Sequence, residues 1–194
     1  IMPRRSRNYK RGGRKYRKKR RYRKKWLSHK VPSGLPTQTK ANLRYVESVS
    51  LGSVGSNVTK FLFRANSIFD PNAQLGGTQP YGRDQWAELF NHYTVLGSKI
   101  TVVFDPVNGQ DRTHHFGILL DDDGNTVNGN SSDQLLMARK GTSRSMHPNS
   151  TKSAVCKGYF SAKKFFNVKD VKDNHNLLGA QVTTNPSDEA IFTV

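Results

Sequence analysis

Between Arg4 and Lys30 the chain carries sixteen basic residues and not one acidic residue. Like charges at that density repel one another, and the stretch has almost no apolar area to set against the entropy of ordering it. The sequence therefore predicts a disordered basic arm over residues 1–30, loosened further at Gly12 and Gly13. Whatever folds must fold from the rest. The chain has 32 Lys plus Arg against 14 Asp plus Glu, so from residue 31 onward sixteen basic residues face fourteen acidic ones, a net of +2. The excess charge belongs to one segment.

That segment predicts its partner. Clustered cations bind phosphate by releasing condensed counterions, which is independent of sequence and strongly dependent on salt. The expected backbone contacts are Arg4, Arg5, Arg7, Lys10, Arg11, Arg14, Lys15, Arg17, Lys18, Lys19, Arg20, Arg21, Arg23, Lys24 and Lys25. Tyr16, Tyr22 and Trp26 are interleaved with them and suited to stacking on unpaired bases. No zinc-ligand spacing, helix-turn-helix pattern or basic zipper accompanies them, so base sequence is not read. A basic run of this kind also suits nuclear import. A membrane-surface helix is not expected, because basic residues cover every helical face and Leu27 and Val31 are too few.

About 160 residues remain, enough for a single domain with a core. Cys156 stands alone, which rules out an intramolecular disulfide framework. No run approaches the ~20 apolar residues of a membrane span, and no apolar stretch follows the basic start, so no membrane insertion is expected. Without a signal peptide, the Asn-x-Ser/Thr triplets at Asn57, Asn130 and Asn149 read as chance. Met2-Pro3 reads as the natural start. Pro32, Gly34 and Pro36 mark residues 31–40 as a linker.

Strand patterns follow over residues 41–194. Leu43–Leu51 alternates imperfectly. Val58–Ile68 is rich in β-branched and aromatic residues, and Val95–Phe104 and His115–Leu120 read as further strands. Ser153–Phe160 and Lys163–Val168 add one or two more, and a final strand opens at Ala190–Val194. Asp70–Gly82 reads as a long connecting loop, and Asp84 as the cap of a short helix over Gln85–His92. Many strands, long loops and no strand–helix alternation point to an antiparallel sandwich or barrel.

Residues for chemistry are sparse. Asp121, Asp122 and Asp123 lack the alternation of a calcium loop, whose twelfth position is here Ser132. His114 and His115 are adjacent and point to opposite sides of a strand, which makes a poor ligand pair. Cys156 sits in an apolar strand and reads as a small buried hydrophobe. Lys60 and Lys99 alternate with apolar neighbours and face solvent or nucleic acid. No phosphate loop, dinucleotide fingerprint, nucleophile elbow or zinc-protease motif is present, so neither an enzyme nor a metal or other cofactor is expected.

Three runs carry a more specific likeness: Phe63-Arg-Ala-Asn-Ser-Ile-Phe-Asp-Pro-Asn72, Gly77-Thr-Gln-Pro-Tyr-Gly-Arg-Asp-Gln-Trp86 and Tyr93-Thr-Val-Leu-Gly-Ser-Lys-Ile100. Together with the basic arm, they make the chain resemble capsid proteins of circoviruses and related circular single-stranded DNA viruses. The resemblance implies an all-β antiparallel viral jelly roll, a two-sheet sandwich of eight strands. Leu43–Leu51, Val58–Ile68, Val95–Phe104 and the histidine strand would be its first four strands. Ala190–Val194 would begin the seventh, with the last strand lacking, as in a shortened variant. It further implies a coat protein that self-assembles as a 60-mer into a T=1 icosahedral shell and packages a single-stranded DNA genome. Such a protein would meet the host nuclear import machinery and a cell-surface receptor, and be found in the virion and the host nucleus. The loops Asp121–Ser132 and Asn167–Pro186 would be surface-exposed. Gln79, Tyr81, Arg83, Asp84 and Trp86 have the residue types of an inter-subunit contact. The alternative that needs no shell is a nucleic-acid-binding protein with a β domain. A lectin-like domain with an incidental basic tail is a further one.

Overall fold

The computed structural model describes residues 34, 36–51, 58–74, 78–105, 113–125 and 141–194. The chain divides into two units, Ile1–Lys40 and Ala41–Val194. The described residues of the first unit, near the predicted linker, are exposed and form neither helix nor strand.

The second unit is built around two long antiparallel strands that obey the period-two rule. In β3 (Gly97–Phe104) Ser98, Ile100, Val102 and Phe104 turn inward, while Lys99, Thr101 and Val103 turn outward. In β6 (Ala154–Ser161) Cys156 and Phe160 are buried, and Val155, Lys157 and Tyr159 are exposed. The two pair along their whole length, from Gly97 opposite Ser161 to Phe104 opposite Ala154. Their inner face lies on a four-stranded antiparallel sheet in the order β1 (Leu62–Arg64), β8 (Ile191–Thr193), β4 (His114–Asp121), β5 (Thr142–Met146). Gly158 permits this approach: a Cβ there would meet Ile100 Cγ2 at 2.9 Å, with Ile118 Cγ2 and the Phe192 ring at 3.1 Å. Ile118, Cys156, Phe160 and Phe192 meet in the resulting core, closed by Ala65, Ala162, Val171, Leu178 and Ala190. Phe165 and Phe166 add edge-on contacts to Phe160 at 5.6 and 6.1 Å between ring centroids.

A second two-stranded ribbon joins β2 (His92–Thr94) to β7 (Gly179–Gln181). Three α-helices occur among the described residues: α1 (Arg83–Leu89), α2 (Ala162–Phe165) and α3 (His175–Leu178), the last preceded by a 3-10 turn at Lys172–Asn174. The entry to α1 is Gly82, whose φ of +84° is a left-handed conformation that glycine adopts without strain. Asp84 lies in the first turn and is not the cap.

The expected all-β jelly roll is therefore corrected to a mixed α/β architecture. The described residues form one four-stranded sheet, two separate ribbons and interspersed helices, and among them no sheet closes into a barrel. The shell-forming, genome-packaging capsid role implied by the resemblance rested on that sandwich and falls with it, as does placement in a virion. Several elements move too. Leu43–Leu51 forms neither helix nor strand and pairs with no described strand, and Val58–Ile68 contributes only the three residues of β1. Lys163–Val168 begins as α2, not a strand, and Asn167–Pro186 is no simple loop, since it holds the 3-10 turn, α3 and β7. The expected seventh strand is the eighth described one, paired on both sides, with Phe192 flanked by Phe63 and Leu120. Residues 126–132 of the predicted loop Asp121–Ser132 lie outside the described residues.

Candidate nucleic-acid interface

Every residue expected to hold the nucleic-acid backbone, from Arg4 to Trp26, lies outside the described residues.

The loop before α1 splits the group of five predicted contact residues. Arg83 turns inward and is only 8 % exposed. Its guanidinium lies over the Phe69 ring at 5.2 Å, and Nη1 donates to Gln79 Oε1 at 2.9 Å and Asp84 Oδ1 at 2.7 Å. Gln79, Arg83 and Asp84 are thus one cluster whose cation offers little surface to another chain. Trp86 stacks obliquely on Phe90 at 5.9 Å. Tyr81 stands apart, 94 % exposed.

The segment Arg64–Asp70 is a polar clasp that sequence reasoning missed. Arg64 Nε donates to Glu189 Oε1 at 2.7 Å and Nη1 to Asp70 Oδ2 at 3.0 Å. Asn66 is buried; its Nδ2 donates to the Asp188 carbonyl at 2.6 Å and its Oδ1 accepts the Ala190 N–H at 3.1 Å. Ser67 Oγ donates to Asn185 Oδ1 at 2.6 Å and accepts the Phe69 N–H at 3.1 Å. Polar side chains here replace sheet partners and fasten the residues leading into β8. The signal was Asn66 and Ser67 inside an otherwise apolar run, which surface placement did not explain.

The acidic residues gather beside this clasp. Asp121, Asp122, Asp188 and Glu189 line a cleft of about 630 Å³ with Leu120, Phe165, Phe166 and Ser187. Asp121 is spent on local structure, its Oδ1 accepting the Gly124 N–H at 3.1 Å. Among the described residues no group of three or more His, Cys, Asp or Glu side chains is placed to hold a metal ion. Both histidines of the predicted strand are exposed, and His115 Nδ1 lies 2.8 Å from Ser145 Oγ. Cys156 is buried, and burial pushes its thiol above the ordinary range. No helix among the described residues is long and apolar enough to cross a membrane.

The two lysines expected to face solvent or nucleic acid part company. Lys60 is half-buried, with Nζ donating to the Gly124 carbonyl at 2.8 Å. Lys99 is exposed on β3, its Nζ 5.6 Å from the centre of the Tyr159 ring. No protein-family model matches this chain, and no curated protein or solved structure matches it either.

Proposed function

We propose that this protein binds nucleic acid through its phosphate backbone, with most of the affinity residing in the basic segment between Arg4 and Lys30. One observation carries the reading: sixteen cations without an acid in that segment, against a net of +2 over everything after it. The four aromatics interleaved there, Tyr9, Tyr16, Tyr22 and Trp26, favour single-stranded DNA or RNA, whose bases are free to stack. The division of the chain at Lys40/Ala41 is consistent with a binding segment carried by a separate folded unit.

Filter binding of a labelled oligonucleotide across a salt series tests this. Each neutralised phosphate of a single strand contributes about −0.7 to the slope of log K against log salt, so sixteen contacts set a ceiling of about −11. Deleting residues 2–30 should remove most of the affinity and most of the slope, while the thermal unfolding transition of the remaining chain persists. Full affinity after that deletion would overturn the reading.

A further inference from the structure

The outward face of the β3–β6 ribbon has a composition unlike the rest of the folded unit. Lys99 stands directly opposite Tyr159, Thr101 opposite Lys157, and Val103 opposite Val155. All six turn away from the core. Tyr159 is 66 % exposed, and Val103 and Val155 are 54 % and 43 % exposed. The sixteen residues of the two strands include two lysines and no carboxylate. The nearest acid in sequence, Asp105, lies past the far end of β3 and accepts a hydrogen bond from Ser153 Oγ at 2.5 Å. In a unit whose carboxylates roughly balance its cations, this face is a place of local positive charge around a protruding aromatic ring.

This face holds a large aromatic ring in water on a rigid strand. Its chemistry matches one kind of partner. A ring held on a strand, with ammonium groups to either side, fits an unpaired base and its flanking phosphates. Lys157 and Tyr159 are two residues apart on one face, about 6.8 Å along the strand, the scale of one nucleotide in an extended chain. Lys99, on the other strand, holds its Nζ over one side of the ring, 5.6 Å from its centre, so a base would stack on the opposite side.

We propose that this ribbon face is a second contact for single-stranded nucleic acid, with Tyr159 stacking on a base and Lys99 and Lys157 holding the phosphates beside it. It deepens the nucleic-acid reading above and rests on it, but the two fail separately. The probe is a fluorescein-labelled oligothymidylate titrated into the full chain. Tyr159→Leu should weaken binding about five- to 150-fold, the range found for loss of one stacked base, and leave the salt slope unchanged. Tyr159→Phe, which keeps the ring, should bind like the parent. The double variant Lys99→Gln/Lys157→Gln should lower the salt slope by about 1.4, two phosphate contacts at the single-strand value. These lysines are exposed, so that variant keeps the test open should Tyr159→Leu fail to fold. Photo-crosslinking of the parent chain to iodouracil-substituted oligonucleotide, mapped by mass spectrometry, should place an adduct at Tyr159. Parent-like affinity and slope in all three variants, or adducts confined to residues 4–30, would overturn the ribbon contact and leave the basic segment standing. Loss of a dimer by light scattering in Tyr159→Leu, with oligonucleotide affinity unaltered, would assign the face to a second copy of the chain and equally overturn it.

Discussion

Asn66 acts where a strand partner is missing. Its amide joins the Asp188 carbonyl and the Ala190 N–H, two backbone groups just before β8 that would otherwise be left unpaired. A buried polar group stripped of its partner costs about 1–3 kcal/mol. Asn66→Leu, which abandons two, is expected to lower stability by about 2–6 kcal/mol, read as a fall in the urea midpoint without a change in slope. A parent-like midpoint would show that the clasp is dispensable. Cys156 gives a prediction of another kind. Burial raises its folded-state pKa above the unfolded thiol value of 9.0, so the folded chain holds the thiol proton more tightly. The stability this contributes is complete below pH 9 and is lost as pH rises through the folded value. Cys156→Ala should flatten the decline of stability above pH 9, and Ellman's reagent should label the parent thiol at pH 8 only after denaturation. The two residues differ in how legible they were. Cys156 lies in an apolar strand and was readable as a buried hydrophobe. Asn66 was not, because a polar side chain among Phe63, Ala65 and Ile68 gives no sign of which distant backbone it satisfies.

At the scale of elements, β4 was legible as a nearly continuous apolar run, Phe116–Leu120, and β3 and β6 because each alternates inward and outward over eight residues. Period two is a strong signal over that length. Helices α2 and α3 have four residues each, little more than one turn, and a single turn cannot display a helical period. Strand β5, Thr-Ser-Arg-Ser-Met, carries hardly any apolar signal and is held by its pairing with β4 from Ile118 to His114. Leu43–Leu51 is the opposite case, a strand-like alternation without a partner among the described residues. The closeness of the ribbon to the sheet is testable at Gly158. Alanine there would bring a methyl within 2.9 Å of Ile100 Cγ2 and 3.1 Å of Ile118 and Phe192. Overpacking of this kind costs about 1–3 kcal/mol, so Gly158→Ala should melt measurably lower than the parent, and an unchanged transition would mean that the layers slide apart freely. Arg83, expected from its residue type to serve another chain, is instead enclosed between Phe69, Gln79 and Asp84. Arg83→Ala should accordingly destabilise the fold by about 1–3 kcal/mol, the range of single substitutions that break a buried network. An unchanged melting curve would return Arg83 to a surface role.

For the molecule as a whole, the sequence made the separation of charge plain and left the architecture open. Charge is additive along a chain, so the separation of a net +18 protein into a cationic segment and a nearly neutral remainder needs no coordinates. Residues 41–194 should therefore elute early from a cation exchanger that retains the full chain into high salt, and retention of both alike would refute the separation. Layer arrangement is different, because it depends on pairings such as Leu62 with Thr193 and Leu119 with Thr193, which local pattern does not reveal. The place of β8 between β1 and β4 also sets an order of events in the cell. Two strands made early, one around residue 63 and one around residue 119, must wait for Ile191–Thr193 before either gains its shared neighbour. Pairings this distant in sequence form slowly. Until Ile191–Thr193 is made, β1 and β4 each present an unpaired edge, a template for other chains that the late strand then covers.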